Sequence, residues 1–218
     1  MFAPTPAQVR QLLSGISLKS TWGQRDYLLI LLLAHTGLRI GEMTRLLMDN
    51  VAHEGTPRPE LFVPSAITKG KNGVRRSRVV PLNSTAQALI LKILAFNKKR
   101  GVSVDPKAPL FPWKKHQPVP TREINRMFSR LRQSAGLPEA MTPHTLRHHF
   151  ATQLLASGAD LYTVKELLGH RCITNTEVYL HTTPQRKQDS VNRLSEKKHP
   201  EVIGSKLQRK KETLRLCV

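Results

Sequence analysis

Residues 24–35 constrain the fold of this chain more than any other segment. They are apolar on nearly every face of a helix, and residues 27–34 form an uninterrupted apolar run. The segment stops near Gly37, a residue type that readily adopts the left-handed conformation found just beyond helix ends. A helix that is apolar all round has to be covered on every side. The sequence therefore predicts a central, buried helix.

Helical signals dominate the rest of the chain. Further helices are predicted over residues 6–15, 84–100, 121–135, 142–157 and 160–169, and in a short segment that includes Tyr179. Residues 61–82 are instead rich in β-branched types around a KGKNG turn, which predicts a hairpin. Residues 102–120 contain five prolines, and we expect a loop there with one short strand near Leu110. This loop is the best candidate for a linker.

The charge of the chain favours a polyanionic partner. Thirty-five Lys and Arg residues stand against fifteen Asp and Glu residues, a net charge of +20. Nucleic acid is the first candidate and an anionic membrane surface the second. The apolar run over residues 27–34 is far shorter than the roughly 20 residues that span a bilayer. We expect a soluble, intracellular protein whose two cysteines, Cys172 and Cys217, are reduced thiols.

Four segments contain residue types suited to chemistry on a phosphodiester. They are residues 36–42 (TGLRIGE), the hairpin over residues 68–82, residues 143–152 (PHTLRHHFAT), and residues 168–170 (LGH) followed nine residues later by Tyr179. Each segment alone is a weak signal. In this order and spacing they resemble the boxes of the tyrosine recombinases, the phage integrase family, and the resemblance runs from about residue 5 to residue 183.

The resemblance and elementary chemistry assign the same roles to the residues. A guanidinium stays charged and binds two phosphate oxygens at once, which suits Arg39 and Arg147. His144 lies three residues before Arg147 on one helix face and would help to share the proton of the nucleophile. His170 would donate to a non-bridging oxygen. Tyr179 is the expected nucleophile, because of the three tyrosines it alone has the family's spacing from His170.

A lysine at the hairpin turn is expected to act as the general acid for the leaving oxygen. Both Lys69 and Lys71 qualify, and the Thr-Lys form of the family motif favours Lys69. Glu42, one turn after Arg39, is either an ordinary surface residue or a support for that arginine. For His148 and its neighbour His149 we expect packing or solvation.

A zinc site is an alternative interpretation of the histidines. It would combine His144, His148, His170 and Cys172. The paired Cys and His spacings of structural zinc sites are not all present, so no metal is expected. The chemistry that the resemblance implies requires no other cofactor either.

The resemblance implies a mainly α fold with a small antiparallel β-sheet and a site-specific recombinase. Such an enzyme cuts and rejoins double-stranded DNA through a 3′-phosphotyrosine and a Holliday junction. It acts as a homo-oligomer, a tetramer on DNA, with accessory DNA-bending or recombination proteins as further partners. The expected location is the cytoplasm, at the nucleoid, and the expected source is a bacterium, a phage or a mobile element. The alternatives are type IB topoisomerase-like relaxation of DNA and a non-catalytic DNA-binding regulator with this fold.

The expected domain organisation is a catalytic domain over residues 1–190 and a basic tail over residues 191–218. By resemblance, the tail is exchanged between protomers. The separate helical DNA-binding domain that precedes the catalytic domain in most family members is expected to be absent, because the first box begins 36 residues from Met1. Two interpretations are open: the chain is a natural short recombinase, similar in layout to the fimbrial invertases, or it is a fragment of a longer protein.

Overall fold

The apolar helix predicted at the centre is α2, Thr21–Thr36, in a computed structural model that describes residues 2–69, 74–102, 105–113, 117–170 and 172–179. All of these residues fall within one unit that ends at Tyr179. The other helices are α1 Pro6–Ser14, α3 Ile40–Met43, α4 Ser84–Lys99, α5 Thr121–Ser134, α6 Pro143–Ala156, α7 Leu161–Leu168 and α8 Thr174–Glu177.

The ends of α2 follow from local chemistry, and its middle forms the core. The Ser20 side chain accepts a hydrogen bond from the Gly23 amide, which caps the first turn. Gly37 ends the helix with a φ of 61°. Between these ends, Leu29, Ile30 and Leu32 are fully buried, and the helix packs against both α4 and α6. The prediction of a central, buried helix is confirmed.

The helices that position the site also begin and end at the predicted signals. Thr5 caps α1 through a reciprocal pair of hydrogen bonds with Gln8. Thr142 precedes Pro143 at the start of α6, and Asp160 caps α7. Gly169 ends α7 in the left-handed conformation, with a φ of 66°.

Two antiparallel strand pairs complete the fold. The strands are β1 Ala52–His53, β2 Thr56–Pro57, β3 Glu60–Val63 and β4 Arg78–Pro81. The predicted hairpin over residues 61–82 is the β3–β4 pair, in which Leu61 lies opposite Val80 and both side chains are buried. Residues 70–73 of its turn lie outside the described residues. The expectation of a mainly α fold with small antiparallel sheets is confirmed.

The prediction that residues 102–120 form a linker is wrong. Leu110, Phe111 and Val119 are buried within the main core, and Leu110 donates its amide to the carbonyl of Leu46. The expected strand near Leu110 is also missing, since the described part of this segment contains only isolated bridges at Pro109, Pro112 and Pro118. Prolines marked the segment as irregular, but these three buried apolar side chains hold it against the core.

None of the helices within the described ranges combines the length and the apolar character that crossing a bilayer requires.

We predict that Gly37→Ala strongly destabilises the protein, because α2 and α6 approach each other at this residue. A Cβ atom at Gly37 would lie 2.3 Å from Cδ1 of Phe150, and the backbone φ of +61° is unfavourable for alanine. Gly136 is the matched control, because it has the same φ with nothing within 4 Å. We expect a loss of about 1 kcal/mol for Gly136→Ala and about 3 kcal/mol or more for Gly37→Ala in urea unfolding. Equal losses would contradict this packing.

Candidate active site

A basic cleft lies where the β3–β4 hairpin meets α3, α6 and α7. Two adjoining pockets share Arg39, Thr68 and Lys69 as lining residues. One pocket extends to His170 and the other to His144. The structure thus brings four of the predicted site residues, from four separate segments, to one cleft. Further basic side chains lining the two pockets are Arg45, Arg75, Arg76, Arg78 and Lys165.

Arg147 lies beneath this cleft, with only 1% of its surface exposed. Its guanidinium donates to the carbonyl of Gly37, at 2.8 Å, and to the carbonyl of Leu168. These carbonyls lie at the C-terminal ends of α2 and α7, where the helix dipole favours a positive charge. Burial, then the charge of Arg39, lowers the pKa of Arg147 to about 9. The side chain therefore stays charged at neutral pH and ties three helices together.

Tyr179 lies beside Arg147, although not inside a helix as the sequence suggested. Helix α8 ends at Glu177, and Tyr179 follows in the next turn with 5% of its surface exposed. Its hydroxyl oxygen is 2.7 Å from Nδ1 of His148, and its ring is stacked on the ring of His170 at 6.4 Å. Burial raises the pKa of Tyr179, whereas the charges of Arg147 and Arg39 act to lower it.

Glu42 is buried and hydrogen-bonded to Arg39, so it is not an ordinary surface residue. Its carboxylate accepts hydrogen bonds from the backbone amide of Arg39, at 2.8 Å, and from the guanidinium of Arg39, at 3.1 Å. It also accepts two from Arg78, at 2.7 and 3.0 Å. Although burial raises the pKa of Glu42, the hydrogen bonds and charges of Arg78 and Arg39 outweigh it and bring the pKa to about 2.

Arg78 is a site residue that the sequence analysis missed. Besides binding Glu42, it donates from Nε to the carbonyl of Leu167 at 3.1 Å, and its side chain lies against Gly169, where a Cβ atom would be 2.9 Å from Cδ of Arg78. It therefore joins the hairpin to the end of α7. The sequence pattern could have indicated this role. Arg78 shares a strand face with the buried Val80, and an arginine on such a face needs a carboxylate.

His148 is the second residue that was missed. The expectation of packing or solvation holds for His148 in that its ring is buried, but its polar contact is with the hydroxyl of Tyr179. It is confirmed for His149, whose Nδ1 lies 2.7 Å from the carbonyl oxygen of Pro4. The available signal was helical spacing, because His148 lies one turn after His144 on α6 and the two rings meet edge to face at 4.7 Å.

The histidines of the cleft are neutral near pH 7. Burial, followed by the charges of Arg147 and Arg39, lowers the pKa of His144 and brings that of His170 to about 4. Nδ1 of His170 also pairs with the Thr176 hydroxyl at 2.9 Å, which orients its ring. A neutral imidazole can donate a hydrogen bond from its N–H group to a phosphate oxygen without adding repulsion to the two arginines.

The cleft contains one of the two lysines expected to act as the general acid. Lys69 lines both pockets of the cleft, whereas Lys71 lies outside the described residues. In the part of the chain that the structure describes, no group of three or more His, Cys, Asp or Glu side chains is arranged to hold a metal ion.

Comparison with known proteins identifies the family. The sequence pattern of the phage integrase family matches residues 4–186. The chain belongs to the phage integrase family. Its mainly α architecture with small antiparallel sheets is therefore that of a phage integrase catalytic domain.

Curated relatives of this phage integrase family member are bacterial tyrosine recombinases. It is 35% identical to a tyrosine recombinase of Pseudothermotoga lettingae over 87% of the chain, and 33% identical to the tyrosine recombinase XerD of Listeria monocytogenes over 83% of the chain. The chain spans 59% and 58% of the length of these two relatives. Neither of them favours the topoisomerase or regulator alternatives.

Solved structures show the same fold. The integrase of the Tn1549 transposon, in complex with transposon right end DNA, superposes with a TM-score of 0.70 and 26% identity, over 89% of this chain and 66% of that one. The XerA recombinase superposes with a TM-score of 0.66 and 24% identity, over 88% and 63% of the two chains.

We predict that the Glu42 carboxylate stabilises the fold at neutral pH and not in strong acid. Its pKa is about 2 in the folded protein against an ordinary value of 4.5, so its contribution is complete above pH 4.5 and disappears as the pH falls through 2. The difference corresponds to about 3 kcal/mol. Glu42→Gln should lower the free energy of unfolding by about that amount near pH 7, and the gap to the wild type should narrow as the pH falls.

Urea unfolding of both proteins, from about pH 7 to about pH 2, measures this gap. Asp49→Asn is the control, because Asp49 binds Arg58 at 2.6 Å in an exposed pair whose side chains are 54% and 37% accessible. Such a pair contributes less than about 1 kcal/mol. A gap for Glu42→Gln that stayed constant over the whole pH range would contradict the proposed ionisation.

Proposed function

We propose that this chain cuts and rejoins DNA through a covalent phosphotyrosine at Tyr179, as a site-specific recombinase. One observation carries the proposal. Arg39, Arg147 and His170 come from separate segments, and all three lie near Tyr179. The charges of the two arginines act to lower the pKa of Tyr179, and the ring of His170 stacks on its ring. This arrangement places two permanent positive charges beside a phenol, which favours both a bound phosphodiester and the phenolate that attacks it.

In the cleavage step, the Tyr179 oxygen attacks the phosphorus atom of the scissile phosphodiester. The phenol gives up its proton, which His144 helps to accept, the new bond joins Tyr179 to the 3′ phosphate, and the bond to the 5′ oxygen breaks. Negative charge grows on the non-bridging oxygens, where Arg39 and Arg147 bind it. Arg147 uses two donors on backbone carbonyls, which leaves three of its five N–H groups for the phosphate. His144 and His170 supply further hydrogen bonds.

Lys69 protonates the leaving 5′ oxygen. It lines the cleft next to Arg39, and an ammonium group on a flexible stem can reach an oxygen on the far side of the phosphate. Lys71 is the alternative acid. Resealing is the reverse reaction, in which a 5′ hydroxyl of another strand attacks the phosphotyrosine and Tyr179 recovers its proton. Exchange of two pairs of strands in this way passes through a Holliday junction.

DNA binding is supported by charge outside the cleft as well. Arg122, Arg126 and Arg130 are exposed at successive turns of α5, opposite the face that Ile124 and Phe128 bury. A row of guanidinium groups at this spacing can follow phosphates along a groove. Affinity for DNA should therefore fall steeply with salt concentration. The Tn1549 integrase was solved with DNA, which agrees with a DNA partner for this chain.

The proposed wider assembly rests on resemblance to the family. The protein acts as a homo-oligomer, a tetramer on DNA, with the segment after Tyr179 and the basic tail over residues 191–218 packing on a neighbouring protomer. Both segments lie outside the described residues. Accessory DNA-bending or recombination proteins would select the site, and the reaction would take place at the nucleoid. The catalytic domain spans residues 1–190 in this proposal.

We predict that Tyr179→Phe abolishes the covalent protein–DNA adduct on a nicked suicide substrate, because phenylalanine has no oxygen to attack with. DNA binding should be retained within a few-fold, since no charge is lost. Tyr162→Phe is the control: Tyr162 is 61% exposed on α7, and its variant should form the adduct at the wild-type rate. Denaturing gels with labelled DNA measure the adduct. Adduct formation by the Tyr179 variant would refute the assignment.

We predict that a substrate with sulfur in place of the scissile 5′ bridging oxygen rescues Lys69→Ala. A thiolate leaves without protonation, so loss of the general acid matters little on this substrate. The same substrate should not rescue Arg39→Ala, because the charge on the non-bridging oxygens is unchanged. Lys71→Ala should show a smaller defect that low salt relieves. Rescue of Lys71→Ala in place of Lys69→Ala would transfer the role to Lys71.

A further inference from the structure

His148 is the side chain that binds the hydroxyl of the proposed nucleophile. Nδ1 of His148 lies 2.7 Å from the hydroxyl oxygen of Tyr179, and the two ring centroids are 5.3 Å apart. Both residues are buried, with 6% and 5% of their surfaces exposed. A buried hydroxyl without a partner is costly, so this hydrogen bond helps to keep the phenol inside the protein before DNA is bound.

The other histidines near Tyr179 do not replace this contact. The ring of His170 stacks on the ring of Tyr179 at an interplanar angle of 12°, but its Nδ1 pairs with the hydroxyl of Thr176. The ring of His144 meets His148 edge to face. Among the described residues, the hydrogen bond of the Tyr179 hydroxyl is therefore made to His148. Stacking restrains the plane of the phenol, whereas this bond restrains the position of its oxygen.

His148 is itself held firmly. It follows Arg147 on α6, and Arg147 is anchored to the ends of α2 and α7 through two backbone carbonyls. The residue after it, His149, is anchored to the carbonyl of Pro4. Burial, followed by the charges of His144 and Arg147, brings the pKa of His148 to about 4. The ring is neutral near pH 7, so Nδ1 can accept the phenol proton in a hydrogen bond.

We propose that His148 is a positioning residue for the nucleophile: its Nδ1 atom fixes the oxygen of Tyr179 beside Arg147, in the direction from which the scissile phosphate is attacked. The inference rests on the proposed strand-transfer function. Attack on phosphorus requires the oxygen in line with the leaving group, and a displacement of about 1 Å can slow such a step about 100-fold. A phenol held only by stacking would be free to move its oxygen by that much.

Two substitutions of His148 test whether the position of its polar atom matters, because both of them keep a polar side chain. The side-chain amide of asparagine lies where Nδ1 of histidine lies, whereas that of glutamine lies where Nε2 lies. His148→Asn should form the covalent adduct within about 10-fold of the wild-type rate, and His148→Gln should be slowed about 100-fold. His149→Asn is the control, because it alters an equally buried histidine of the same helix that contacts Pro4 instead.

These rates are measured with the full chain on the suicide substrate, together with DNA affinity and thermal unfolding of each variant. Equal rates for His148→Asn and His148→Gln, whether both native or both slow, would overturn the inference. Faster cleavage by either variant would overturn it too, since the contact would then restrain the nucleophile in an unreactive position.

A second measurement does not depend on activity. The chain has three tyrosines, so a tyrosine-labelled carbon NMR spectrum contains three phenol signals, and Tyr179→Phe assigns one of them. In the DNA-free protein, His148→Gln should shift that signal and its titration midpoint, whereas His148→Asn and His149→Asn should leave both unchanged. An unchanged signal in His148→Gln would overturn the inference. Absence of any adduct with the wild type would instead refute the proposed function, while the NMR result would stand by itself.

Discussion

The buried guanidinium of Arg147 is the interaction on which the rest of the site depends. It joins α6 to the C-terminal ends of α2 and α7 through the carbonyls of Gly37 and Leu168. A charge this deeply buried is costly unless it is paired, and its direct partners in the protein are neutral carbonyls. The cleft above it also has an excess of positive charge. A bound DNA phosphate would supply the negative charge that this arrangement favours, so recognition and catalysis would use the same residue.

The ion pair between Glu42 and Arg78 connects this centre to the hairpin. Glu42 binds Arg39 on one side and Arg78 on the other, and Arg78 also binds the carbonyl of Leu167 at the end of α7. Strand β4, which follows the turn that begins near Lys69, is thereby fixed to the C-terminal end of α7, just before His170. Because the pair is buried, its strength is little affected by salt, unlike the contacts proposed between the exposed arginines and DNA.

Local sequence signals predicted most of the fold. Caps, prolines and glycines set the ends of α1, α6 and α7 and the C-terminal end of α2 within one or two residues, because these are contacts between neighbours in the chain. The order of the four boxes predicted which side chains meet at the cleft, through resemblance to a family. Segments without a repeating pattern were harder: residues 102–120 were expected to be a linker and instead pack into the core.

The sequence alone determined the central helix, the hairpin, the basic character of the protein and the candidacy of Tyr179. Only the tertiary structure decided that Arg78 binds Glu42, that Arg147 uses two donors on helix ends, and that His148 binds the hydroxyl of Tyr179, the proposed nucleophile. These contacts join residues 36, 110 and 31 positions apart. Periodicity and capping report forces between near neighbours, whereas the pairing of distant polar groups is settled when helices pack and each buried donor has to find an acceptor.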